Sequence, residues 1–175
     1  RECGKLASVT IPGSVESLGV NLFSNCSSLL ELKIAGEAKH FMLIDGVLFN
    51  KEMTRIIWCS PQKSGSFEMP NTVEVIDLEA FRDHKKLVSI AISNSIVVID
   101  KCSFSDCSGL ETVLIPDSVV SICQHAFTGC RSLVSITIPN SVAFIGKEAF
   151  ASCKSLKSIA LPKSVVNIGK RAFAF

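Results

Sequence analysis

The sequence predicts an α/β repeat protein: a solenoid with one short parallel strand per coil, mostly β and irregular, with little regular helix. Three observations carry that expectation. Phe81, Phe104, Phe127, Phe150 and Phe173 stand 23 residues apart at every step. Leu87, Leu110, Leu133 and Leu156 keep the same step, as do Cys107, Cys130 and Cys153, with Leu6–Leu29 and Cys3–Cys26 as earlier pairs. Ile11-Pro12, Met69-Pro70, Ile115-Pro116, Ile138-Pro139 and Leu161-Pro162 fall in the same register. A fixed period of this size marks stacked supersecondary units. Each unit is too short to close a core alone, and it buries its apolar columns only against copies of itself.

From residue 133 the unit reads LVSITIPNSVAFIGKEAFASC. Leu133, Ile136 and Ile138 alternate with Ser135 and Thr137, as in a short strand with one buried face. Pro139 denies the ladder an N–H and ends the strand. Val142, Ile145, Ala149 and Phe150 then fit either a turn of helix or a second short strand followed by a helical turn. Gly146 and Gly169 suggest a tight bend, although Asp77, Asp100 and Cys123 fill that column elsewhere. The IPxSVxxIGxxAFxxC blocks at 11–26, 115–130 and 138–153, with weaker copies at 69–84, 92–107 and 161–175, resemble the BspA-like leucine-rich repeats of bacterial and protist surface proteins. That resemblance implies a leucine-rich-repeat right-handed solenoid.

Counted from the Cys column, the units are 4–26, 62–84, 85–107, 108–130, 131–153 and 154–175, with an expanded unit at 27–61. The expectation is one solenoid fragment of about seven coils over 1–175, truncated at both ends. Open ends expose apolar columns and strand edges, which predicts self-association. In unit 85–107, Ser93, Ile96 and Ser103 depart from the pattern and read as drift.

Composition excludes several classes. Of 175 residues, 47% are apolar and 19% charged, with a net charge of +2, so the chain is neither disordered nor built for a polyanion. Residues 101–175 carry the positive excess, with Lys101, Lys147 and Lys170 in one column, Arg131 and Lys154 in another, and His125 and Arg171 beside the first. No apolar run reaches the roughly 18 residues of a membrane span. The eight Cys contain no CxxC pair, so zinc-site spacing is missing. Cys107, Cys130 and Cys153 read as a buried column in which His84 takes one slot, and Cys102 and His125 as stacked neighbours. The three His lie outside any GxSxG, HExxH or P-loop context. No enzyme, cofactor or nucleic-acid partner is expected.

The candidate protein-binding face is the outward side of the strands: Ser8, Glu31, Ser66, Ser89, Thr112, Ser135 and Ser158 in one column, and Thr10, Lys33, Glu68, Leu114 and Thr137, with Ala91 and Ala160, in the other. In the expanded unit, Val47 to Phe49 against Ile56 to Trp58 predicts a β-hairpin turning around Asn50 to Arg55. A similar IDGVLFNK insertion recurs in the family, which favours an architectural role. Phe49, Arg55 and Trp58, with Phe41, make the alternative: an aromatic–Arg contact of the kind that anchors interfaces. The sequon Asn25-Cys26-Ser27 has a core Cys at its centre. The resemblance implies a cell-surface or secreted adhesin-like module that contacts host extracellular-matrix proteins or other cells. A cytoplasmic interaction scaffold and a passive stalk are the rivals.

Overall fold

A computed structural model describes residues 4–19, 22–23, 26 and 28–174. Cys3, Asn25 and Ser27 lie outside them, and with them the sequon and the first Cys of the ladder. The described residues form 14 strands: β1 (Ser8–Pro12), β2 (Glu31–Ala35), β3 (Phe41–Ile44), β4 (Val47–Asn50), β5 (Arg55–Cys59), β6 (Gly65–Glu68), β7 (Val75–Ile76), β8 (Leu87–Ala91), β9 (Val98–Ile99), β10 (Thr112–Leu114), β11 (Ser121–Ile122), β12 (Ser135–Ile136), β13 (Phe144–Ile145) and β14 (Asn167–Ile168). A regular coil runs along a front strand, turns at a proline (Ser93 in coil 85–107), crosses a two-residue back strand and closes through a wide turn; coil 154–175 keeps only the back strand. The front strands stack in parallel as β6-β8-β10-β12 and the back strands as β9-β11-β13-β14. The result is a parallel β-solenoid of about seven turns.

The described residues contain no helix, so the α/β expectation is corrected. Of the two options left open by the sequence, the second short strand is present, but an irregular turn succeeds it in place of a helical one. Two columns of that turn hold left-handed backbone: Glu79, Cys102, His125, Glu148 and Arg171, then Asp83, Asp106, Gly129 and Ser152. Two such residues per turn interrupt helix propagation and reverse the chain. Gly146 answers a different need. A Cβ there would collide with the backbone of Cys123 and Gln124, so the column is glycine where coils approach most closely.

Packing follows the columns. Phe81, Phe104, Phe127 and Phe150 are fully buried, with neighbouring ring centroids 5.2–5.3 Å apart. Phe173 stacks on Phe150 at 5.7 Å. Around this ladder lie the Leu column (Leu87, Leu110, Leu133) and the back-strand Ile column (Ile99, Ile122, Ile145), all fully buried. Ile168, next in that column, is 49% exposed because no described coil covers it.

The expanded coil departs from the template and contains more than the hairpin predicted from Val47–Trp58. Strands β3, β4 and β5 form an antiparallel meander, and β5 joins β7 in parallel. The first turn is Asp45-Gly46, both with positive φ, the geometry of a two-residue hairpin loop. A register shift between Leu48 and Phe49 leaves Ile57 as a bulge. The meander has two buried faces. Val47, Phe49, Ile56 and Cys59 pack into the long core that runs to the C-terminal coils. Phe41, Leu48, Ile57 and Trp58 pack into a second cluster with Ile11, Leu29 and Leu32. It is a partition wall between the first coil and the regular stack.

Truncating a rung of the ladder tests this packing. Phe127→Ala removes a fully buried ring between two stacked neighbours and is expected to cost about 3–5 kcal/mol in urea unfolding. A loss below about 1 kcal/mol would show that the Phe column is not the core.

Candidate functional site

The front face is exposed but split. Ser8 pairs with Glu31 and Thr10 with Lys33 on the two-stranded sheet β1-β2. Ser66, Ser89, Thr112 and Ser135 align across the separate sheet β6-β8-β10-β12. The first column is therefore not one continuous row, because the meander stands between its two parts. Ser158 and Thr137 are exposed outside any strand. The surface is low in relief, with the Ser89 hydroxyl donating to Ser66 (2.7 Å) and Lys33 bridging to Glu31 (3.0 Å). Leu114 stands out most, a 69% exposed apolar side chain on a central strand, with Val88 at 39% and Val134 at 51% beside it.

The aromatic–Arg contact does not exist as a surface patch. Phe49 is 2% and Trp58 7% exposed, both inside the wall. Arg55 is held by Asp77 through two charge-assisted hydrogen bonds, Nε to Oδ1 at 2.5 Å and Nη2 to Oδ2 at 2.8 Å. Asp77 is buried, and its hydrogen bonds to Arg55 raise the guanidinium pKa above its usual value. Trp58 packs edge to face with Phe23, ring centroids 6.0 Å apart, on the first-coil side of the wall, while Cys59, whose N–H bonds to Ala80 as that of Phe81 bonds to Ser103, holds the Phe slot of the expanded coil.

The Cys column has a structural task. Cys107 donates its S–H to the Phe81 carbonyl at 2.8 Å, Cys130 to Phe104 and Cys153 to Phe127 at 3.2 Å each. Each thiol caps a carbonyl 26 residues back, one coil down. Burial pushes the Cys153 thiol up to about 12, and contact with Cys107 together with burial raises Cys130 well above the ordinary range. Cys130 and Cys153 are therefore protonated thiols at neutral pH, without the thiolate that a nucleophile or metal ligand needs. His84 spans its slot in their place. Nδ1 meets the Phe81 carbonyl at 2.8 Å and Nε2 the Ser60 carbonyl at 2.9 Å.

Cys102 and His125 occupy the same left-handed column on adjacent coils. Burial raises the Cys102 thiol pKa, the opposite of activation. The His125 ring is engaged elsewhere: the Gln124 amide donates to Nε2 at 3.0 Å, so Nδ1 carries the proton, facing Thr128 at 3.2 Å and Glu148 at 3.5 Å. Among the described residues no group of three His, Cys, Asp or Glu is placed to hold a metal. No helix of the described residues is long and apolar enough to cross a membrane.

Two surface features lie outside the columns that the sequence singled out. Val97, Val98, Val120, Phe144 and Val166 expose an apolar stripe along the back sheet. A notch of about 350 Å³ opens on the turn edge beside Trp58, bounded by Phe23, Leu78, Arg82 and Lys85. The apolar residues after each Ser-Val or Ser-Ile pair signal the stripe, but nothing in the repeat signals the notch.

Stacked front strands, proline corners and buried Leu, Ile, Phe and Cys columns define a leucine-rich-repeat solenoid. The model of the BspA type leucine rich repeat region matches residues 1–64 and 51–175, in six copies. The chain belongs to that family. It is similar to a leucine rich cell surface protein of Faecalibacterium prausnitzii, with 31% identity and a TM-score of 0.87 over 96% of this chain and 45% of that one. It is also similar to the pneumococcal vaccine antigen PcpA, with 27% identity and a TM-score of 0.84 over 93% of this chain and 42% of that one. A leucine-rich repeat protein of T. pallidum shares the fold at 23% identity, with a TM-score of 0.54 over 89% of this chain and 67% of that one. The chain thus spans less than half the length of the first two. No curated protein matches the sequence.

The His84 slot yields a pH prediction. Burial lowers the imidazole pKa below 6.5, partly offset by its carbonyl contacts and by Asp83. The unfolded chain therefore binds a proton that the folded chain resists, and stability falls as pH drops below 6.5. His84→Cys restores the column residue. The loss of urea midpoint between neutral pH and pH 5 is expected to shrink in this variant, and an unchanged loss would assign the acid sensitivity elsewhere.

Proposed function

We propose that the chain is a non-enzymatic protein-binding module of a surface-displayed protein, an adhesin-type solenoid that contacts host extracellular-matrix proteins or other cells. The observation that supports it is the front sheet: an exposed, low-relief row of Ser66, Ser89, Thr112 and Ser135 around a protruding Leu114. Small side chains in register allow close approach of a second protein, and one apolar residue at the centre supplies an anchor. Ser8, Thr10, Glu31 and Lys33 extend the face beyond the meander, and Glu68, Thr137 and Ser158 border it. Surface display is supported by the cell surface protein of Faecalibacterium prausnitzii and by the vaccine antigen among its structural neighbours. In this reading residues 1–175 act as one solenoid, wound right-handed by the crossover rule for parallel strands, and it self-associates through exposed strand edges.

Surface plasmon resonance over immobilised matrix proteins, fibronectin first, tests the proposal. Saturable binding is expected, and Thr112→Arg with Ser135→Arg, both at exposed positions, should weaken it at least about tenfold with an unchanged melting temperature. Absence of saturable binding to any matrix protein or cell surface would leave the passive stalk as the better account.

A further inference from the structure

The turn that follows β5 is shorter in the expanded coil than its counterpart in the coil stacked on it. Ile56 pairs with Ile76, but Ser66 pairs with Ser89. The offset grows by three residues between those two pairs, so the turn between Ile56 and Ser66 is three residues short. The notch of about 350 Å³ sits in this layer. Its size is within the range of small-molecule and side-chain pockets.

One wall is aromatic, formed by Phe23 and Trp58 in edge-to-face contact. Leu78 lines the notch as well, and its backbone matters more than its side chain. At the equivalent positions in later coils, Gln124, Lys147 and Lys170 each accept an N–H from the coil below, donated by Cys102, His125 and Glu148. The short turn cannot supply that donor. Cys59 bonds to Ala80, and Ser60 is diverted to Gly46, so the Leu78 carbonyl accepts no backbone bond among the described residues. The rim is charged. Glu79 holds Arg82 at 2.6 Å and Asp83 lies 3.7 Å from it, while Lys86 is engaged with Gln62 at 2.5 Å. Three cations face two carboxylates, which leaves one excess positive charge, and Lys85 and Lys86 stand exposed at the edge.

We propose that this notch docks a loop of a protein partner, one that carries an aromatic side chain flanked by a carboxylate. The ring lies against Phe23 and Trp58, a loop N–H bonds the Leu78 carbonyl, and the carboxylate meets Lys85. The occupant thereby supplies the layer that the shortened turn omits. This inference rests on the protein-binding reading but uses a different surface from the front sheet.

Trp58 is the only tryptophan of the chain, so its fluorescence reports on the notch. The probe is acetyl-Asp-Ala-Phe-Glu-amide, titrated into the intact chain. A saturable change with Kd below about 1 mM is expected, at least about tenfold tighter than for acetyl-Lys-Ala-Phe-Lys-amide. Lys85→Glu with Lys86→Glu, both exposed and therefore compatible with folding, should reverse that preference. Leu78→Phe, which fills the notch, should weaken the acidic peptide at least about tenfold. No saturable change up to about 10 mM, or equal affinity for both peptides, overturns the proposal. So does 3-phenylpropionate binding as tightly as the peptide, which would make the notch a small-acid site. The Thr112→Arg and Ser135→Arg variant should bind the peptide unchanged. Loss of peptide binding with matrix binding intact removes the notch alone, and the converse removes the front sheet alone.

Discussion

Phe104 donates its backbone N–H to Ala126, Phe127 to Ala149 and Phe150 to Ala172, one coil on in each case. A coil of 23 residues has little regular structure of its own, so beyond its short i→i−3 turns its polar backbone finds partners in the coils above and below. The side chains obey the same constraint: Phe meets Phe, Ile meets Ile, and each Cys thiol caps the carbonyl of the Phe one coil down. Repetition therefore serves satisfaction rather than recognition. The turns, which lack any regular strand or helix, are as firmly bonded as the sheets.

The expanded coil breaks the repeat without breaking this constraint. Its meander offers apolar side chains on both faces, so the first coil and the regular stack each find a core to pack against. Ser60 and His84 repair the seam. Ser60 donates its N–H to the Asp45-Gly46 hairpin loop, and its carbonyl takes the place that a thiol would reach in a regular coil. A histidine is long enough to bridge the altered spacing where cysteine is not. Incomplete repair along the shortened turn produces the notch.

Much of the fold was legible because the columns are read one period apart. Phe81 to Phe173 marked the ladder, Ser66 to Ser135 the exposed row, and Val47 to Trp58 one hairpin of the expanded coil. The rest failed for identifiable reasons. Apolar spacing alone does not separate a helical turn from an irregular one, and the left-handed column at Glu79, Cys102, His125, Glu148 and Arg171 shares no residue type that would announce positive φ. Asp45-Gly46 was a readable hairpin signal that the longer NKEMTR turn overshadowed. Trp58 looked like a surface anchor because it is unique, but it packs into the first-coil side of the wall. The site was less legible than the fold. A flat face shows itself in small residues, but a notch made by a missing segment shows itself only once the neighbouring coil is in place.

Native-state hydrogen exchange at the turn amides of Phe104, Phe127 and Phe150 tests the central claim most directly. If stacking satisfies the backbone, these amides exchange only through the largest, shared opening of the solenoid, with protection equal to that of the front-strand amides of Val113 and Ile136. Exchange at the rate of ordinary exposed loop amides, with only the strands protected, would contradict the account.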